Sequence, residues 1–151
     1  RFQTTYGPES NWEGGREKAA DAISRKVALA KEGGSVEVWG NGKAVRVFTY
    51  IDDLLAGIRA LMKSNIDQPT NIGSAQYVTV DELAQTIIAV SGKKLKIKHV
   101  KGAVGVISRN FSNKQIYTTG WKPKYSLKQG IKMHYPWVAE QEAKKYPNAS
   151  I

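Results

Sequence analysis

The sequence contains no cysteine, so a disulfide framework and thiolate chemistry are excluded, in keeping with a cytoplasmic protein. No apolar run approaches the roughly 18 residues that span a bilayer, which excludes a membrane-spanning helix. The opening residues, Arg1-Phe2-Gln3-Thr4-Thr5, lack both the apolar core of a signal peptide and a starting Met. Such an opening is expected of a chain cut from a longer one, or of an altered start. A Gly-x-Gly-x-x-Gly turn is also missing; Gly40 and Gly42 have no third glycine at the right spacing. A dinucleotide fold needs that turn to bring a pyrophosphate onto a helix N-terminus, so this chain alone is expected to bind no such cofactor. His99 and His134 have no Cys or carboxylate at metal-ligand spacing, which predicts structural histidines and no metal site.

What remains is a chain of 151 residues, 41% hydrophobic, the size and apolar content of one domain spanning 1–151. Its net charge of +10 favours anionic partners, such as sugar nucleotides, nucleic acid or acidic surfaces. A solvated surface that keeps the protein soluble accounts for the count equally well. Nucleic-acid binding through Lys93 to Lys101 is the minor alternative, because no aromatic residues interleave there to stack on bases.

The order of elements reads as α/β. Phe2 to Tyr6 is a strand stopped by Gly7-Pro8, and Arg16 to Glu32 is a helix with Ala19, Ile23, Val27 and Ala30 on one face. Val36–Trp39 and Val45–Tyr50 are β-rich and flank Gly40-Asn41-Gly42-Lys43, which predicts a hairpin. Asp52–Ser64 is a helix with a stripe of Leu54, Leu55, Ile58, Leu61 and Met62, and Thr70–Ile72 is a short strand. Thr79–Ser91 is a helix opened by a Thr79/Glu82 capping box and ended by Gly92. Lys94–Val100 alternates as a half-buried strand whose lysines protect an edge. Ser112–Thr119 and Ser126 to about Lys145 are helices with capping boxes at Ser112/Gln115 and Ser126/Gln129. Pro136 predicts a kink or break in the last of these.

Several segments together carry a resemblance. Arg1-Phe2 followed by Tyr6-Gly7-Pro8, Gly42 to Asp53, Asn71-Ile72-Gly73, and Thr119-Gly120-Trp121-Lys122-Pro123 with Leu127 and Gly130 occur in a telling order and spacing. They resemble the second half of the extended short-chain dehydrogenase/reductase family. Trp12-Glu13-Gly14-Gly15-Arg16-Glu17-Lys18-Ala19 narrows this to a resemblance to the GDP-mannose 3,5-epimerase family. The resemblance implies the C-terminal, substrate-binding part of that fold, lacking the N-terminal Rossmann half that binds NAD. Residues 1–8 resemble a late strand of that missing half. The Tyr-x-x-x-Lys pair of such epimerases is also absent; Tyr125 and Lys128 are only three apart.

The family's chemistry, as the resemblance implies it, oxidises a GDP-linked hexose at C4 with NAD. The new ketone acidifies the protons at C3 and C5, and an acid/base pair removes and replaces them. Lys18 matches one member of that pair, and the other is a Cys of the N-terminal half. Glu17 and Lys26 match positions near the substrate. Arg46 matches the arginine on the nucleotide diphosphate, a role that suits a planar set of donors. Two of these residues have a reading apart from the resemblance. Arg16 and Lys18 fall in the first turn of the predicted helix, where cations oppose the dipole by ~0.3–1 kcal/mol. An anionic ligand would exploit that charge; an exposed, tolerated lysine is the alternative. For Arg46 the alternative is a pairing with Asp52 or Asp53.

The second diphosphate contact departs from the family pattern. Where Arg-Gly-Arg followed by Asn is usual, the chain reads Ile107-Ser108-Arg109-Asn110, with Phe111-Ser112 after it, so Arg109 remains and the first arginine is replaced by Ile107. Losing one such contact costs roughly 1.5–3 kcal/mol, about one to two orders of magnitude in affinity. Pro136 stands where an aromatic is usual. The sequence therefore predicts an epimerase fragment that is inactive alone and binds substrate weakly. The alternative is a free-standing nucleotide-binding or assembly module. Apolar surface left by the missing half predicts self-association.

Overall fold

The computed structural model describes residues 1–102, 107 and 111–147. Along the chain it forms β1 (Thr4–Tyr6), α1 (Ala19–Leu29), β2 (Ser35–Trp39), β3 (Val45–Tyr50) and α2 (Ile51–Met62). β4 (Tyr77–Thr79), α3 (Val80–Ser91), β5 (Lys96–Val100), α4 (Lys114–Tyr117) and α5 (Leu127–Lys145) follow. This is an α/β arrangement with two small sheets. β1, β3 and β4 form one, β1 parallel and β4 antiparallel to the central β3. β2 and β5 pair in parallel as the other.

The predicted hairpin is therefore wrong. β2 and β3 are consecutive but belong to different sheets. Alternation along β2 buries Val36 and Val38 and exposes Glu37 and Trp39, a pattern that either pairing satisfies. Val36 and Val38 join the core through a partner far along the chain, Ile97 and His99 standing opposite them in register. β4 had no counterpart in the sequence reading, and the predicted strand at Thr70–Ile72 reduces to a single parallel bridge between Phe2 and Ile72. The lysines of β5 are exposed as expected, though the strand begins at Lys96 rather than Lys94.

α1, α3 and α5 pack on one another and on the sheets. Ala20, Ile23, Val27, Leu83, Ile87, Leu127 and Ile131 meet Tyr6, Phe48 and Tyr50 in the larger core. Close packing here sets a size limit at Gly130. A Cβ at that position would stand 2.0 Å from the Tyr6 hydroxyl, which donates to the Leu127 carbonyl at 3.3 Å. A smaller cluster of Leu54, Ile72, Ile116 and Trp121 lies under α2 and α4. The predicted stripe of α2 is only partly inward, since Leu55 and Met62 are exposed.

The helix ends show where local rules hold. Thr79 and Glu82 cap α3 reciprocally, and Ser126 and Gln129 cap α5 in the same way. Ser112/Gln115 forms no box. Asn113 is the N-cap of α4, and its side chain turns inward to donate to the carbonyls of Gly73 (2.9 Å) and Ser74 (3.3 Å). α5 runs uninterrupted through Pro136, so the predicted break does not occur. α1 begins at Ala19 rather than Arg16 and ends at Leu29. Beyond it, the Lys93 ammonium donates to the carbonyls of Val27 (3.2 Å), Ala28 (2.7 Å) and Ala30 (2.8 Å). Those are carbonyls that the last turn of a helix leaves open.

Candidate functional site

The late start of α1 shapes the site. Gly14 and Gly15 both take positive φ, 92° and 82°, a conformation that costs glycine little. The chain then reaches Lys18, the N-cap of α1, whose backbone is extended at φ −81° and ψ 167°. Lys18 is thus at the helix boundary and not inside its first turn, and Arg16 precedes the helix altogether. The Lys18 carbonyl accepts from Ala22 N at 2.9 Å, while the Lys18 side chain is exposed. Extended backbone turns successive side chains to opposite sides. Glu17 and Lys18 accordingly line different clefts.

The first cleft has a volume of about 500 Å³ and is floored by β1 and β3, with Gln3, Thr5, Lys18, Arg46 and Phe111 among its walls. The second, about 370 Å³, lies between α1 and the strands β2 and β3. Glu17, Arg25, Lys26, Trp39 and Arg46 line it. Arg46 lines both. Lys18 and Arg46 thus share one cleft, and Glu17, Lys26 and Arg46 share the other. Arg109, Ser108 and Asn110 lie outside the described residues.

Several of these side chains already have protein partners. Arg46 Nη1 donates to the carbonyls of Val45 (2.8 Å) and Ile107 (3.3 Å). Asp53 is buried past the far end of β3, where its carboxylate accepts from Lys124 N (2.8 Å) and Tyr125 N (3.1 Å). Asp52 lies past the far end of β3, beyond ~13 Å of strand at about 3.3 Å per residue. Lys26 Nζ donates to the Glu37 carbonyl at 2.9 Å and stands 5.6 Å from the Trp39 ring centroid, a cation–π distance. Glu17 Oε1 accepts from Arg25 Nη2 at 3.2 Å. Ile107 is 75% exposed, and its carbonyl also takes the Val45 N–H at 2.9 Å. The isoleucine side chain therefore points to solvent beside Arg46, where the resemblance leads one to expect a second guanidinium.

Residues that the sequence did not mark as functional also line the walls: Phe2 and Phe111 in the first cleft, Arg25 and Trp39 in the second. Tyr77 O–H donates to the Phe111 carbonyl at 3.1 Å and accepts its N–H at 2.9 Å, fixing that wall to β4. Nothing local marks these pairs, which join residues far apart in sequence.

Each histidine stands against an aspartate. His134 is fully buried, its Nε2 3.1 Å from Asp21 Oδ1, and Ser10 Oγ donates to that same oxygen. Aspartate stands between serine and histidine, so no histidine is placed to take the serine proton. His99 pairs with Asp81 at 2.9 Å. Among the described residues no group of acidic or histidine side chains has a metal site's geometry, and no helix is long and apolar enough to cross a membrane. β1 leads through Gly7-Pro8 into an irregular segment, with no short Gly-rich turn onto a helix. A Cβ on Gly7 would lie 2.4 Å from Ile51, so this glycine packs against protein instead of opening a phosphate cradle.

Comparison with known proteins decides the lineage. Residues 1–73 match the model of the NAD-dependent epimerase/dehydratase family. GDP-mannose 3,5-epimerase of Arabidopsis thaliana is 40% identical across 151 residues, covering 99% of this chain and 40% of that protein. The chain belongs to the NAD-dependent epimerase/dehydratase family. A probable GDP-L-fucose synthase of Oryza sativa subsp. japonica is 33% identical over 140 residues, 89% of this chain and 42% of its own length. The fold agrees: UDP-glucose 4-epimerase from Thermotoga maritima superposes with a TM-score of 0.82 at 22% identity, over 93% of this chain and 45% of its own. The chain thus spans about two fifths of the length of the curated relatives it matches, and its α/β fold is a partial fold of this family.

Proposed function

We propose that this chain supplies the sugar-nucleotide-binding part of an epimerase acting on a GDP-linked hexose, and that it does not turn over substrate alone. The observation that carries this reading is the meeting of Lys18 and Arg46 in one cleft of about 500 Å³. They come from separate elements, and each matches a functional position of the family. Arg46 binds and orients the diphosphate through directed donors. Lys18 presents an ammonium at the cleft, where it holds a proton for a carbon beside a sugar ketone. Glu17 and Lys26 line the adjoining space, and Arg109 adds a second diphosphate contact. The opposing base and the nicotinamide cofactor come from a polypeptide outside this chain. NMR of GDP-mannose incubated with the chain and NAD should show no epimer. Clear turnover without a second polypeptide would overturn the reading.

A second reading has one observation in its favour. The exposed Ile107 beside Arg46 removes a cation from the expected phosphate site, which fits a module that binds or assembles without catalysis. Adding the N-terminal half of a relative separates the two. Restored epimerisation supports the first reading; ligand binding with no turnover supports the second.

A further inference from the structure

Arg25 stands between two carboxylates, half-buried Glu17 and buried Glu142. Its Nη2 donates to Glu17 Oε1 at 3.2 Å, and its Nε lies 3.9 Å from Glu142 Oε1 on α5. The Glu17 side chain is only 10% exposed, yet its Oε2 has no hydrogen-bond partner among the described residues. Buried polar atoms are nearly always paired, and an unpaired one carries a desolvation cost. Glu17 and Arg25 both line the second cleft, so a small turn of the Glu17 side chain would bring that unpaired oxygen to a donor bound there. A carboxylate repels a diphosphate, so the part of a sugar nucleotide that suits it is a hydroxyl. Arg46 lines this cleft as well as the one that holds Lys18, which places Glu17 on the same ligand.

We propose that Arg25 is a positioning residue that holds one oxygen of Glu17 and so presents the other to a hexose hydroxyl of the bound sugar nucleotide. This rests on the sugar-nucleotide reading above. Glu142 flanks the guanidinium from α5, keeping its Nε side toward the protein. The planar fork of arginine suits this double task; a lysine ammonium would reach one carboxylate only.

The test is titration calorimetry with two probes, GDP-mannose and GDP. Arg25→Met is expected to weaken GDP-mannose about tenfold, the loss of roughly one hydrogen bond to a charged group, and to leave GDP unchanged. Glu17→Ala should do the same, and the double variant should lose no more than either single one, since both remove one interaction. A general structural role would weaken both probes alike. Losses that add, GDP falling in step, or GDP-mannose unaffected by Arg25→Met while Glu17→Ala weakens it, would each overturn the proposal. If Arg25→Met does not fold, Arg25→Lys serves: it should lower the preference for GDP-mannose over GDP, and an unchanged preference overturns the idea. A wild-type chain that holds GDP-mannose no tighter than GDP would instead defeat the underlying sugar-nucleotide reading.

Discussion

Glu17 and Lys18 are neighbours in the chain and line different clefts, because the backbone is extended at Lys18 before α1 begins. One short segment therefore supplies a carboxylate to one side and an ammonium to the other. Arg46, which lines both spaces, joins them into a single candidate site.

That arrangement separates binding from chemistry. In the chain completed by the N-terminal half of a relative, Lys18→Met should abolish epimerisation. GDP-mannose affinity should stay within about threefold, because an acid/base group acts in the transition state more than in the ground state. Turnover and calorimetry on the same preparation check it. A Lys18→Met variant with normal turnover would remove the lysine from the chemistry.

Ile107 offers a gain-of-function test. Its side chain is exposed and its backbone is already fixed to β3 through Val45 N and Arg46 Nη1. Ile107→Arg should add a guanidinium beside Arg46 without disturbing packing. GDP is expected to bind about tenfold tighter, with a steeper loss of affinity as salt rises. Unchanged affinity would mean that the diphosphate does not reach this position.

Lys93 closes the C-terminal end of α1 with three hydrogen bonds from one ammonium. Lys93→Met keeps the length of the stem and removes the donors. We expect a loss of about 1–3 kcal/mol, lowering Tm by roughly 2–9 °C for a chain of this size. Thermal unfolding followed by circular dichroism measures it. Ligand affinity should not move, since Lys93 lines neither cleft.

Glu142 predicts the direction of a pH dependence. Burial pushes its carboxyl above the ordinary 4.5, and Glu13 raises it further, against the opposing pull of Arg25 and Lys145. A folded pKa above the unfolded one means that the folded state holds the proton more tightly. This group's contribution to stability is therefore full below pH 4.5 and declines as pH rises through the folded pKa. Glu142→Gln removes the penalty. The variant should melt higher than wild type near pH 7, and the difference should shrink toward pH 4. A variant less stable at neutral pH would show that the Arg25 contact outweighs the burial.

Much of the fold is legible in local sequence. The Thr79/Glu82 and Ser126/Gln129 boxes form as read, because both partners lie within one turn and nothing distant competes for them. Ser112/Gln115 fails where a distant partner wins: Asn113 binds Gly73 and Ser74 and takes the cap position. The sheet pairing was hidden for a related reason. Alternation tells which face of β2 is buried, and it is the same whether β3 or β5 lies alongside. The site was legible as a set of residues, through Trp12 to Ala19 and Arg46, and illegible as a geometry. Arg25 is the clearest case. Its role depends on Glu17, just ahead of the same helix, and on Glu142, near the end of the last helix.

The most direct test of the account is titration of GDP-mannose into this chain and into Arg46→Ala. Saturable binding is expected, weakened by about 10–100-fold in Arg46→Ala, the worth of a charged hydrogen bond to phosphate. No heat at millimolar ligand, or binding indifferent to Arg46→Ala, would contradict it.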